Sequence, residues 1–178
     1  MNINYIKEIN ESRVYDVSTK TPISLLNKMS LQYSNEIYLK REDLQPIFSF
    51  KCRGAYNKIS SLSHEEKASG IIAASAGNHA QGVALSASKL NIKATIVMPT
   101  TTPSIKIESV RKFGVKVELI GDSFDEAYEY ALEVSRNEGM VFIHPFDDPL
   151  VIAGQGTVAK EIVEEFKDEP DIFFIPVG

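Results

Sequence analysis

The sequence predicts an α/β fold that is doubly wound and built on mostly parallel sheets. From about residue 70 onward, short apolar runs alternate with segments whose apolar residues recur at helical spacing. Strands that alternate with helices pair in parallel, and the helices then cover the sheet. The composition agrees with a globular protein, since 43 % of the 178 residues are apolar and 24 % are charged. A chain of this length can bury one substantial core or two small ones.

Proline, glycine and capping residues set the bounds of the elements in this alternating region. Pro99 closes the second strand, and Pro103 stands near the first turn of the next helix. Gly114 ends that helix, and Asp122 or Ser123 can cap the following one. Strands are predicted at 70–74, 93–98, 115–120, 140–143 and 171–177. Helices are predicted at 77–89, 103–113, 122–136 and 153–166.

The first 60 residues are less regular. They predict one strand at 37–40, a loop at 42–49 and a helix at 50–62. At the other end, the predicted strand 171–177 stops where a strand should turn into a loop. We therefore expect the sequence to be the amino-terminal part of a longer protein.

The turn Ser75–Gly82 follows the first regular strand and opens a helix. Backbone N–H groups at a helix start lack intrahelical partners, and the helix dipole favours anions there. Ser75 and Asn78 add side-chain donors, so the turn can hold a carboxylate or a phosphate. A tight turn without a ligand fits the same pattern. Gly77 and Gly82 have the spacing of a nucleotide-binding P-loop, but Val83 stands where the lysine should be.

Lys51 is the candidate nucleophile or base. It stands near a predicted helix start, where the dipole disfavours a cation, and between Phe50 and Cys52. A lysine in a desolvated pocket is biased toward its neutral, reactive form. The alternative is a lysine whose ammonium reaches solvent along its own stem.

Other candidate motifs favour structural interpretations. The run 154–159 matches a dinucleotide fingerprint, but it does not directly follow a strand, so glycines for close helix packing are favoured. The three histidines have no metal-ligand spacing, and no metal site is expected. Cys52 is interpreted as a small buried residue. The residues expected on a solvated helix face are Glu161, Glu164, Glu165 and Lys167.

Charge and hydropathy exclude several classes of protein. The 19 basic and 24 acidic residues give a net charge of −5, without the basic face of a nucleic-acid binder. No apolar run approaches the length of a membrane span, and no secretory signal is present. The single cysteine excludes an internal disulfide framework. We expect a cytoplasmic, soluble protein that binds neither nucleic acid nor membrane.

Three segments together resemble the threonine dehydratase (threonine deaminase) family. They read KREDLQP at 40–46, SFKCRGAY at 49–56 and SAGNHAQG at 75–82. The likeness continues through 97–99, 124–127 and the run PFDDPLVIAGQGT at 145–157, and it covers nearly the whole chain from about residue 13. The first segment is more similar to the biosynthetic enzymes than to the degradative ones.

The resemblance implies a cofactor, pyridoxal phosphate, on the tryptophan-synthase-β type of fold (fold type II). Lys51 matches the lysine that holds the cofactor covalently and moves the substrate proton. Asn78 matches the residue that hydrogen-bonds the cofactor's 3′ oxygen, and Phe50 the aromatic residue beside its ring. The loop that grips the substrate carboxylate matches Ser75, Ala76, Gly77, Asn78 and His79. Related racemases carry a serine at the position of Ala76.

The implied activity is the deamination of L-threonine, and of L-serine, to 2-oxobutanoate or pyruvate and ammonia. For threonine this is the first step of isoleucine biosynthesis. The implied partners are an amino-acid substrate and, for the complete protein, further copies of itself. Two alternatives stay open: a catalytically incomplete α/β fragment without cofactor, and a β-replacement enzyme similar to cysteine synthase.

The resemblance also implies two domains. Residues 61–147 would form a complete small domain. Residues 1–60 and 148–178 would belong to a larger domain that is incomplete in this sequence. The loop that cradles the cofactor phosphate would begin at Gly178.

Overall fold

A computed structural model describes residues 3–166 and 170–175, which form a four-stranded sheet packed by helices and a separate two-stranded sheet. The strands are β1 (Ile23–Leu25), β2 (Tyr38–Lys40), β3 (Ile71–Ala74), β4 (Ala94–Met98), β5 (Lys116–Leu119) and β6 (Val141–Phe142). The helices are α1 (Tyr5–Glu11), α2 (Asn27–Tyr33), α3 (Lys51–Ser60), α4 (His64–Ser69), α5 (Asn78–Leu90), α6 (Ser104–Arg111), α7 (Phe124–Glu138) and α8 (Pro149–Glu165). A short 3-10 helix spans Glu42–Leu44.

The larger sheet is parallel throughout and has the strand order β5-β4-β3-β6. The chain runs outward from β3 to β4 and β5, then returns to place β6 on the other side of β3. The order therefore reverses between β3 and β6, and in open α/β sheets ligands bind at the carboxyl ends of strands at such a point. The predicted α/β fold class is confirmed.

Both faces of this sheet are buried, as the continuous apolar strands predict. Ile71 and Ala73 pack into a core with residues of α3, α5 and α6. Ile72 and Ala74, which point to the opposite face, pack against Ala127 of α7 and its neighbours. The two clusters lie on the two sides of one sheet, which is the doubly wound arrangement.

Helix α3 lies between α5 and α8 and is buried along most of its length. Glycines allow both close contacts. A Cβ on Gly82 of α5 would lie 2.8 Å from the carbonyl oxygen of Lys51. A Cβ on Gly154 of α8 would lie 2.7 Å from the Cα of Gly54. The glycines of the run 154–159 thus serve helix packing, as the sequence favoured.

A buried cluster of charges joins α3, α8 and the amino-terminal segment. The Arg53 guanidinium donates to Glu161 at 2.6 Å and to Glu42 at 2.8 Å, and Lys40 pairs with Glu161 at 3.0 Å. Glu161 is 3 % exposed, so its assignment to a solvated helix face is wrong. Burial opposes ionisation of Glu161, but hydrogen bonds from Arg53, Lys40 and Tyr15 outweigh it and lower its pKa. Glu164 and Glu165 are exposed as expected, and Lys167 lies outside the described residues.

The strand predicted at 171–177 is wrong for its described part. Residues 171–175 form no strand, and Phe174 is 91 % exposed. A strand requires a neighbour for its backbone hydrogen bonds, and no strand of the described residues lies beside this segment. Residues 176 and 177 lie outside the description.

The last helix begins four residues earlier than predicted. The Asp148 side chain accepts hydrogen bonds from the amides of Leu150 and Val151, and Pro149 occupies the first helical position. Both features are typical of a helix start.

Candidate functional site

Lys51 is the first residue of α3, and its side chain is half-buried. Its Nζ donates to the carbonyl oxygen of Pro145 at 3.2 Å and lies 5.4 Å from the centre of the Phe50 ring. Desolvation lowers the Lys51 pKa. Among the described residues, no carboxylate lies within ion-pair distance of this amine. The structure thus agrees with the desolvated lysine that the sequence proposed.

The turn 75–79 follows β3 and leads into α5. Ser75 continues the sheet by donating its N–H to Val97, and its Oγ accepts the N–H of Gly77 at 3.2 Å. The N–H groups of Asn78 and His79, in the first turn of α5, have no intrahelical acceptor. A Cβ on Gly77 would meet nothing within 4 Å, so open space lies beside the turn. The side chain of Asn78 is exposed.

His79 is buried and links this turn to the end of β6. Its Nε2 lies 3.0 Å from the carbonyl oxygen of Ile143, which accepts, so Nε2 carries the proton. Its Nδ1 is buried and has no hydrogen-bond partner among the described residues. Burial, with a smaller effect of the nearby Lys51 and His144 side chains, lowers the pKa of His79 to about 4, although the hydrogen bond to Ile143 opposes this shift. The imidazole is therefore neutral at physiological pH.

The segment from Ile143 to Asp148, here called the β6–α8 connection, accepts hydrogen bonds from the side chains of both His79 and Lys51. His79 binds the carbonyl of Ile143, and Lys51 binds the carbonyl of Pro145 two residues further on. The connection follows β6, and the turn 75–79 follows β3. Lys51 and the anion-receptive turn therefore meet where the strand order of the sheet reverses.

The structure brings most of the proposed site residues to this edge of the sheet. Lys51 and Phe50 are in contact, and Lys51 acts electrostatically on His79. No contact in the described residues joins Asn78 or Ala76 to Lys51. Sequence reasoning missed the carbonyl of Pro145 as the hydrogen-bond acceptor of Lys51, although PFD at 145–147 was recognised as part of the resemblance.

Comparison with known families matches residues 14–178 to the family described as pyridoxal-phosphate dependent enzyme. The match covers most of the chain, and the chain belongs to this family. The fold and this family match together establish the class of protein. The cofactor of the class is pyridoxal phosphate.

Several of the individual relatives are named threonine dehydratase or threonine deaminase. The chain is 53 % identical over 174 residues to the biosynthetic L-threonine dehydratase of Pasteurella multocida, covering 98 % of the chain and 34 % of the relative. A solved threonine deaminase isoform 2 from Solanum lycopersicum superposes with a TM-score of 0.89 at 55 % identity, covering 92 % of this chain and 45 % of that one. Maize serine racemase superposes with a TM-score of 0.85 at 32 % identity, covering 92 % of this chain and 50 % of the racemase. The chain spans about a third of the length of the curated relatives it matches.

The residues at this edge fit pyridoxal phosphate. The aldehyde of the cofactor requires a lysine amine that is not held by a carboxylate, and Lys51 meets that requirement. The space beside Gly77 and the unpartnered Nδ1 of His79 leave room and one polar atom free for a ligand. The cluster needed for a metal ion, three or more His, Cys, Asp or Glu side chains, is not found within residues 3–166 and 170–175. None of the helices in these ranges combines the length and apolar character needed to cross a bilayer.

Proposed function

We propose that the complete protein deaminates L-threonine to 2-oxobutanoate and ammonia, the first committed step toward isoleucine, and that it accepts L-serine with pyruvate as the product. The observation that carries the proposal is Lys51, a half-buried amine with no carboxylate partner in the described part of the chain, at the point where the strand order reverses. The names of the relatives, biosynthetic threonine dehydratases, supply the substrate class.

In this proposal Lys51 holds the cofactor and then moves the substrate proton. When bound, pyridoxal phosphate withdraws electrons from the substrate and acidifies its Cα–H bond. The lowered pKa of Lys51 increases the fraction of neutral amine, and only the neutral amine accepts that proton. Pro145 gives the Nζ atom a neutral hydrogen-bond acceptor, so the amine is positioned without a counter-ion that would keep it protonated.

The turn 75–79 binds the substrate carboxylate in this proposal. Free amides in the first turn of α5 and the dipole of that helix favour an anion. Asn78 would hydrogen-bond the cofactor's 3′ oxygen, and Phe50 would pack beside its ring. The neutral imidazole of His79 keeps a second positive charge away from Lys51, because its pKa of about 4 lies far below neutral pH.

We further propose that residues 61–147 form the small domain, which holds the parallel sheet, and that the remaining residues belong to the large domain. We expect the complete protein to be a cytoplasmic homo-oligomer. These proposals follow from the family resemblance and are tested by the structure and the size in solution of the complete protein.

The test is the activity of the complete, cofactor-loaded protein on L-threonine, measured as 2-oxobutanoate and ammonia. K51A should lower turnover by at least about 10²–10⁴-fold, since both general-base catalysis and the covalent link are lost. The matched control is K89A, which removes an exposed lysine of α5 and should leave turnover unchanged. Retained turnover in K51A, or a product that forms only with an added sulfur nucleophile, would contradict the proposal.

A further inference from the structure

The β6–α8 connection is shaped by the side chain of His144. Its Nδ1 accepts the backbone N–H of Asp147 at 2.7 Å and that of Phe146 at 3.3 Å. One nitrogen thus closes the turn that begins immediately after β6. Because Nδ1 accepts both bonds, the ring carries its proton on Nε2 in this arrangement.

The carbonyl that receives Lys51 lies inside this turn. Pro145 stands between His144 and Phe146, so the bonds from Nδ1 to the next two amides fix the direction of the Pro145 carbonyl. Pro145 cannot donate a backbone hydrogen bond to the turn, because proline has no N–H. The position of the Lys51 amine therefore depends on Nδ1 of His144, the residue immediately before the proline whose carbonyl the amine binds.

Aromatic contacts hold the His144 ring in place. The rings of Phe146, Phe142 and Tyr128 meet it edge to face at centroid distances of 4.7, 6.2 and 6.2 Å. These contacts come from the connection, from β6 and from α7. These contacts place the ring beside the sheet, whereas the closure of the turn depends on the Nδ1 acceptor.

We propose that His144 is a positioning residue for Lys51: its Nδ1 closes the β6–α8 connection and so holds the Pro145 carbonyl where it orients the Lys51 amine. The inference rests on the proposed function, in which this amine captures the cofactor and moves the substrate proton. In this proposal the His144 side chain itself touches neither the cofactor nor the substrate proton.

Two substitutions separate the acceptor from the ring. H144F keeps an aromatic ring among its neighbours but has no acceptor, whereas H144N loses the ring and keeps an oxygen that can accept the same amides. F146L is the matched control, because it alters a neighbouring ring and leaves both backbone amides and Nδ1 intact. If H144F does not fold, H144L carries the same expectation.

The first measurement is made on the complete protein after removal of the cofactor. Pyridoxal phosphate is added, the product is trapped by borohydride reduction, and the rate of attachment to Lys51 is followed by mass spectrometry. H144F should slow attachment about tenfold, because the acceptor of both turn amides is lost and the Lys51 amine is less well positioned. H144N and F146L should remain within about twofold of the unaltered protein. Hydrogen exchange at residues 146 and 147 should accelerate in H144F only.

Each result has a distinct meaning. Unchanged attachment in H144F, despite faster exchange at 146 and 147, would show that the turn does not position Lys51. An equal loss in H144N and H144F would assign the effect to the ring and overturn the proposal. If the unaltered protein attaches no cofactor at Lys51, the proposed function fails first. In the loaded enzyme, the kcat for threonine should fall in H144F with little change in KM, because the turn 75–79 is untouched.

Discussion

Ala76 is the residue at which a single hydroxyl group would change the outcome of the proposed reaction. It lies in the turn after β3, between Ser75 and Gly77, and is half-buried. The resemblance to racemases implies a serine at this position in those enzymes, and a serine could return a proton to Cα from the face opposite the lysine. Alanine has no proton to transfer. The proton that Lys51 removes can then return only from the side of Lys51.

We therefore expect the complete protein to form pyruvate from L-serine with little D-serine, and A76S to raise the ratio of D-serine to pyruvate. The added atom is one hydroxyl oxygen, so the fold should tolerate it. Both products are measured in the same incubation. A76G, which adds no donor, should leave the ratio unchanged. Substantial D-serine from the unaltered protein would refute the argument.

At the scale of elements, the contact between α3 and α8 depends on two facing glycines. Gly154 approaches Gly54 so closely that a Cβ would lie 2.7 Å from its Cα and 2.8 Å from the Arg53 carbonyl oxygen. These are backbone atoms, so neither can move without shifting a helix. The contact sets the distance of α8 from the helix that carries Lys51.

G154A should destabilise the protein by about 1–3 kcal/mol, the usual cost of forcing extra volume into a packed interior. G156A is the control in the same helix. Its Cβ would meet only the flexible side chain of Ile9, and alanine is the better helix former, so its effect should be small or stabilising. Urea denaturation of both variants measures the difference. Equal free energies of unfolding for G154A and G156A would show that the close approach of Gly154 to Gly54 does not prevent a larger side chain at position 154.

The sequence predicted the long elements better than the short ones. Strands β3 and β4 are fully buried, and their continuous apolar runs are visible without a structure. Helices α1, α2 and α4 and strand β1 were missed, because three to seven residues carry too little periodicity. One local signal was available: Ser63 and Glu66 form a capping box at the start of α4.

The roles of the site residues stay predictions, and the sequence suggests them only where side chains reveal them. Lys51 and the turn 75–79 follow from local pattern and from family resemblance. The Pro145 carbonyl could not be found in this way, because every residue has a carbonyl and only the placement of β6 beside β3 brings this one to Lys51. Glu161 was misplaced for a similar reason, since its partner Arg53 lies 108 residues earlier in the chain.

At the scale of the whole molecule, His79 makes stability depend on pH. Burial lowers its pKa from 6.5 to about 4, so between these values the unfolded chain binds a proton that the folded protein does not. The free energy of unfolding therefore decreases as the pH falls from 6.5 to about 4. The free energy of unfolding lost over the whole titration of His79 is about 3 kcal/mol, of which roughly 2 kcal/mol is already lost at pH 5.

We expect H79Q to lack this part of the pH dependence. The free energy of unfolding is measured for the complete protein and for H79Q at pH 7.5 and pH 5. The advantage of the unaltered protein over H79Q should shrink by about 2 kcal/mol between the two pH values. The carboxylates titrate in both proteins and cancel in the comparison. A constant difference would show that His79 is not buried as a neutral group.

The burial of α3 between α5 and α8 also has a consequence for the order of folding. A ten-residue helix is marginal on its own in water, so α3 persists only after both neighbours have packed against it. Lys51 is the first residue of that helix, and the carbonyl that orients its amine lies 94 residues away in the chain. Contacts of such long range form late, because the loop that joins them must first be closed. We therefore expect the packed setting of Lys51 to be completed late in folding, after α5, α8 and the β6–α8 connection have come together.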